Sequence, residues 1–306
     1  MKTLSCLAQY CVLSVIGAAI VAVPASARGE ESRLALVSAL DPRGSPILGL
    51  SADDFVVREG GARCDIVGVS PASYPVAIVV DTSSFARAEF QQFRDGVHRL
   101  VHSLSDREVG LYTSGTPAAR LVDFTRDLSR VERAIDSAFA RPGESTRTFD
   151  AIIAAAQDLR GRGAFLTRIV VVSAGGPETS GRSPRDVWDA VRASRSLVDV
   201  VDLRPVRSSP TPNDRRVYQA GLAPPGSLKD EEILHTFAER THGRYARIFA
   251  GTGLVPALEG LRNEIQSELI VEYAPPSTAH DALQVGVHIP GAVVKGIGLE
   301  SALGSR

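Results

Sequence analysis

Val76-Ala77-Ile78-Val79-Val80-Asp81-Thr82-Ser83-Ser84-Phe85 is the stretch on which the reading of this chain turns. Five apolar, mostly β-branched residues end abruptly in a polar cluster. A continuous apolar run of this length predicts a strand buried on both faces. An amphipathic helical pattern follows, so the cluster falls where the carboxyl end of a strand meets a helix. In open α/β sheets that edge is where ligands bind. Asp81 and Ser83 offer oxygen ligands only, which suits a hard cation such as Mg²⁺. The competing reading is that Asp81, Thr82 or Ser83 caps the next helix.

Strands and helices alternate outward from this stretch, from Val76 to about Ile248. Phe90, Phe93, Val97, Leu100, Val101 and Leu104 recur at helical spacing. Val109–Thr113 and Ala119–Val122 flank Ser114-Gly115-Thr116-Pro117 and predict a hairpin. Leu128, Val131, Ile135 and Phe139 predict the apolar face of a helix that stops before Arg141-Pro142-Gly143, and Phe149 to Leu159 predict another. Ile169–Val172 and Leu197–Leu203 are further apolar strands, separated by a helix that starts at Ser183-Pro184 and carries the single Trp188. Helices over Lys229–Thr241 and Leu254–Gln266 flank a short strand at Tyr245–Phe249.

Both ends read as β. Leu34–Val37, Phe55–Val57 and Cys64–Val67 precede the alternating region. Leu269–Tyr273, Leu283–Ile289 and Val293–Leu299 follow it. Each set is too small to be stable alone, so the two are expected to share one module. The fold class is therefore α/β: a doubly wound, mostly parallel sheet of about six strands with helices on both faces, plus a small β module formed by the N- and C-terminal segments. Residues 205–228, rich in Pro, Ser and Arg, read as a long surface loop, and the arginines of Arg204–Arg216 as solvated.

Lys2, an apolar run from Cys11 to Val23 and Pro24-Ala25-Ser26-Ala27 form a secretory signal pattern, with cleavage expected after Ala27. The expected division is 1–27 signal, 28–72 N-terminal β segment, 73–267 α/β domain and 268–306 C-terminal β segment packing with 28–72. The expected location is secreted or periplasmic, with no membrane span once the signal is removed. An uncleaved anchor is the alternative, although the run is short for a full span. Beyond the signal only Cys64 remains, so no internal disulfide forms and Cys64 is expected to be a small buried hydrophobe. A net charge of −1 argues against a nucleic-acid partner.

The order of these pieces resembles the von Willebrand factor type A (VWA) domain. It is most similar to the secreted bacterial VWFA-related proteins common in acidobacteria. Gly49-Leu50-Ser51-Ala52-Asp53-Asp54-Phe55 through Gly60 matches their leading element, and Glu268 through Pro276 their trailing one. In such domains a metal-ion-dependent adhesion site is built from Asp-x-Ser-x-Ser, a later threonine and a distant aspartate. Carried over, Asp81, Ser83 and Thr146 match ligands, whereas Phe85 replaces the second serine and Ala174 the aspartate. The resemblance thus implies a VWA-like fold with a degenerate metal site. A dication needs about six oxygens with carboxylates supplying most of the charge, so no resident cofactor is expected and Mg²⁺ is the only candidate.

The resemblance implies binding, not catalysis. The expected partner is a protein or a surface polymer, met at a crevice formed by Asp81, Ser83, Ser84, Thr146 and Ser173 and bordered by the loops Gly143–Arg147 and Gly175–Ser183. The rivals are a scaffold of an envelope assembly that uses other faces and, more remotely, a hydrolase. Ser173 lies in no nucleophile-elbow motif. His98 and His102 have zinc-ligand spacing, but Arg99 stands where His-Glu-x-x-His needs its glutamate. Asp150 and Asp230-Glu231-Glu232 read as helix-start carboxylates.

Overall fold

The computed structural model describes residues 32–204, 228–275 and 282–299. The expected signal over 1–27 and the expected loop over 205–228, save its last residue, lie outside the described residues. So do Pro276, the arginines between 207 and 216, and the side chains of Asp230 and Glu231. The first half of the chain runs β1 (Arg33–Leu40), β2 (Phe55–Glu59), β3 (Ala62–Arg63), β4 (Asp65–Pro71), β5 (Val76–Val80), α1 (Phe90–His102), β6 (Val109–Thr113), β7 (Ala119–Thr125) and α2 (Leu128–Ser137). It continues α3 (Thr148–Gly161), β8 (Thr167–Ser173), α4 (Pro184–Ala193), β9 (Ser196–Leu203), α5 (Leu228–Arg240), β10 (Tyr245–Ile248), α6 (Leu254–Gln266), β11 (Leu269–Ala274), β12 (Leu283–Val287) and β13 (Val293–Gly298).

The central sheet has six strands in the order β10-β9-β8-β5-β6-β7. Every neighbouring pair is parallel except β6–β7, the hairpin that supplies an antiparallel edge. Strand β5 is apolar throughout because both of its faces are covered. Val76, Ile78 and Val80 pack with Phe93, Val97 and Leu100 of α1 and with Leu258 of α6. Ala77 and Val79 pack with Ile152, Ala155 and Leu159 of α3. Because β5 lies between β6 and β8, the strand order reverses at its end, and Asp81 stands at that switch point.

The helix starts follow their local chemistry. Ser183 Oγ accepts from the Asp186 amide at 3.2 Å, and the Ser183 amide donates back to Asp186 Oδ2 at 2.8 Å, closing a capping box around the N1 proline. Gly243 follows α5 for a steric reason: a Cβ there would stand 2.0 Å from the carbonyl oxygen of Val198 in β9. Gly243→Ala is therefore expected to cost roughly 1–3 kcal/mol in urea denaturation, the usual penalty of overpacking. Wild-type stability in that variant would mean that the helix end is free to move off the strand.

One expectation about α2 fails. Phe139 does not extend its buried face: the helix ends at Ser137, and Phe139 is 55 % exposed. Ala138 is already extended in backbone, so the 3.6-residue period no longer applies at Phe139.

The terminal segments interleave. The order β13-β1-β11-β4 makes one antiparallel sheet and β12-β2-β3 another. Leu36 of β1 is flanked by Ile270 on one side and Ile297 on the other. Alternation in β1 sends Ala35 and Val37 toward Phe55, Val57 and the buried Cys64, and Leu34 and Leu36 toward the α/β core. Where the chain enters β5 and leaves α6, a buried ionic cluster joins the two parts. Arg168 of β8 donates to Glu268 at 2.6 Å and lies 3.5 Å from Asp199 of β9. The Tyr74 hydroxyl donates to Glu268, and the Arg107 guanidinium lies 4.2 Å from the Tyr74 ring. Burial disfavours the Arg168 charge, but Asp199 and Glu268 more than offset this and hold its pKa up.

Candidate functional site

The cap reading of Asp81 is not what the structure has. Helix α1 starts at Phe90 with Glu89 at its N-cap and no side-chain cap bond. Asp81 instead organises the turn that leaves β5. Its Oδ1 accepts from the Ser83 amide at 2.8 Å and its Oδ2 from the Ala174 amide at 3.0 Å. Ser83 Oγ accepts from the Phe85 amide at 3.3 Å. Asp81 and Ser83 are both 0 % exposed. Burial pushes the Asp81 carboxyl above the usual carboxylate range, the Ser83 and Ala174 bonds pull it back, and Asp202 adds to the rise.

Thr146 reaches the same edge by a different route. Its carbonyl accepts from the Thr179 amide at 2.9 Å and from the Thr179 hydroxyl at 2.8 Å. Thr146 is buried, and its Oγ1 has no hydrogen-bond partner among the described residues. Gly176 closes the gap: a Cβ there would stand 2.3 Å from Thr146 Oγ1 and 2.6 Å from the Phe85 ring. Phe85, Gly176 and Thr146 thus lie together, with Phe85 only 5 % exposed. The Ser84 amide donates to the Glu144 carbonyl at 2.9 Å, and its hydroxyl oxygen is buried without a partner among the described residues. Ser173 Oγ accepts from the Gly175 amide at 3.1 Å, so this serine shapes a turn.

Other sequence candidates separate from this cluster. His98 lies 2.8 Å from Asp136 and His102 lies 3.9 Å from Glu132, both across the α1–α2 face. Asp150, in the first turn of α3, accepts from Arg147 at 2.8 Å and Arg182 at 2.9 Å, tying the two border loops together. Among the described residues no group of three or more His, Cys, Asp and Glu is arranged to hold a metal ion.

Asp202 was not singled out in the sequence reading. It is fully buried at the end of β9, paired in register with Ser173. Its Oδ2 accepts from Arg204 Nε at 2.8 Å and from the Tyr245 hydroxyl at 3.0 Å, and its Oδ1 has no partner among the described residues. Arg204 Nη1 donates onward to the Gly175 carbonyl at 3.1 Å. The signal was there: Val200-Val201-Asp202 repeats the form of Val79-Val80-Asp81.

Residues 76–177, which run from the start of β5 through this cluster, match the family model of the von Willebrand factor type A domain. Over these residues the chain is similar to a VWA domain. No curated protein matches the sequence. Among solved structures, the conserved hypothetical protein BatB from Bacteroides thetaiotaomicron is similar at 16 % identity and a TM-score of 0.45, over 61 % of this chain and 97 % of that one. A von Willebrand factor type A protein from Catenulispora acidiphila is similar at 9 % identity and a TM-score of 0.49, over 91 % of this chain and 77 % of that one. The vWF domain of the type V pili tip protein Mfa5 from Porphyromonas gingivalis is similar at 19 % identity and a TM-score of 0.33, over 36 % of this chain and 40 % of that one.

Proposed function

We propose that this is a secreted or periplasmic VWA-type binding protein that meets a protein or surface-polymer partner at the C-terminal rim of its central sheet, without a bound cation and without catalysis. The carrying observation is that the polar residues of the strand-end cluster serve to fix the loops of the rim. Both carboxylate oxygens of Asp81 are taken by amides from two different loops. Asp150 links the loops on the other side through Arg147 and Arg182. A rim so tied presents a fixed surface, which lowers the entropic cost of association.

The donor set does not fit a hard dication. Such an ion needs about six oxygens, carboxylates among them. Each Asp81 oxygen already accepts an amide, Ala174 offers no carboxylate, and Phe85 occupies the space beside Thr146. Asp202 is already neutralised by Arg204. Titration of Mg²⁺ or Mn²⁺ into the chain from Arg28 is expected to give no saturable heat. Saturable binding abolished by Asp81→Ala would overturn the cation-free reading. For location, the described residues contain no helix long and apolar enough to cross a membrane.

The contact surface itself is tested by a photo-reactive phenylalanine analogue at Arg141 or Arg182 on the rim, and at Val67 on the β module. Adducts with envelope components are expected from the rim positions only. The scaffold reading has one observation in its favour: the terminal segments expose Leu48, Val67 and Val293 at 71 %, 58 % and 61 %. Adducts from Val67 alone would establish that reading instead.

A further inference from the structure

The rim has one closed part and one open part. The closed part is the cluster over Asp81, sealed by Phe85 against Gly176 and Thr146. The open part is a groove of about 350 Å³ one strand away, between the edge strand β7 and the end of α2. It joins the sealed cluster through Thr82, the neighbour of Asp81, and Glu144, whose carbonyl holds the Ser84 amide. We infer that this groove is the docking surface of the rim and that it takes a protein segment in which apolar side chains alternate with carboxylates. The inference rests on the rim-binding reading above and names its partner.

Pro117, Ala119, Ala134 and Ala138 are among the residues lining the groove, and Leu121 and Phe139 also line it at 41 % and 55 % exposure. Phe139 is held there: the Arg141 guanidinium lies 4.8 Å from its ring centre. A large aromatic placed in water beside an apolar groove, with a cation fixed on its face, has the composition of an interface anchor. The volume is within the usual range of small binding pockets and has room for more than one apolar side chain.

The charge half comes from the partition of α2. Its acids face away from the groove, Asp136 toward His98 at 2.8 Å and Glu132 toward His102 at 3.9 Å. The face that lines the groove carries Ala134 and Ser137, with Ala138 just past the helix end, and Arg130 falls on that face one helical turn before Ala134. Arg141 stands at the opposite end with its side chain 61 % exposed. Glu144 is the acid within the lining, and it lies 3.6 Å from Arg141 with its side chain only 17 % exposed. The approach from solvent is therefore flanked by cations, so carboxylates on the incoming segment are favoured and lysines are not.

The test uses the chain from Arg28, which contains all of the larger unit, Glu31–Arg306. Fluorescence anisotropy would measure binding of a labelled peptide of alternating Leu or Phe with Glu or Asp, and of its counterpart with Lys at every acidic position. A labelled alginate oligomer is the third probe. The acidic peptide is expected to bind saturably and at least about tenfold tighter than the lysine peptide. Leu121→Asp and Arg141→Glu are each expected to weaken it about tenfold or more. Arg160→Glu, exposed in the last turn of α3 away from the rim, is expected to leave it unchanged, and melting curves would verify that all variants are folded. Equal affinity for both peptides, binding indifferent to Leu121→Asp and Arg141→Glu, or saturable binding of alginate alone would overturn the inference. If photo-adducts form at the rim while the acidic peptide fails, the groove inference falls and the rim reading stands. If no rim adducts form, both fall.

Discussion

Arg168→Ala is expected to lower the unfolding free energy by about 3–5 kcal/mol, the typical cost of removing one partner from a buried ion pair. The side chain is 3 % exposed, and the carboxylates it serves, Asp199 and Glu268, are each 2 % exposed. Burial already pushes both carboxyls above the usual range, with Arg168 pulling each back down. Without Arg168, Glu268 retains the Tyr74 hydroxyl but loses its compensating charge. Because Tyr74 opens into β5 and Glu268 opens into β11, the loss is felt where the β module joins the α/β core. Urea denaturation gives the magnitude. A double-mutant cycle of Arg168→Met with Glu268→Gln is expected to show a coupling of about 1–3 kcal/mol. Additive effects would show that the pair is spectator chemistry within an apolar junction.

Asp81→Ala is expected to cost roughly 2–6 kcal/mol, since it strands two buried amides at about 1–3 kcal/mol each. Those amides belong to Ser83 and Ala174, on loops that follow different strands, so the variant should also loosen the rim. Faster amide hydrogen exchange at Ser83 and Ala174 would be the local signature. Asp81→Asn keeps one acceptor and turns its amide group toward a backbone N–H, so an intermediate loss is expected. Near-wild-type stability for Asp81→Ala would mean that water replaces the carboxylate, and that the cluster is more open than its burial implies.

Much of this was legible in the residues. Val76–Val80 reads as a strand covered on both sides, because five consecutive apolar, mostly β-branched residues leave no face for water. Ser183-Pro184-Arg185-Asp186 is a capping box in sequence and in structure, since every bond it makes is local. Asp81, Ser83, Ser84 and Ser173 come to one sheet edge because they end or follow β5 and β8, and Thr146 joins them from the loop between α2 and α3. Where local pattern misled, tertiary or backbone detail intervened. The cap reading failed because a turn intervenes after β5 and α1 starts only at Phe90, out of reach of the Asp81 carboxylate. Phe139 kept the helical period on paper, but the backbone left the helix one residue earlier.

What the sequence by itself determined is the class of fold, the order of its elements and the edge at which its polar residues collect. These follow from hydrophobic periodicity and turn chemistry, which act over a few residues. Only the tertiary structure decided that each oxygen of Asp81 accepts an amide, that Asp202 stands behind it with Arg204, and that the open groove lies beside the cluster. Arg168 and Glu268 are 100 residues apart in the chain, and nothing in either neighbourhood announces the other. Pairing of buried charges depends on which backbone segments the fold brings within a few ångströms, and that distance is not written in any local pattern.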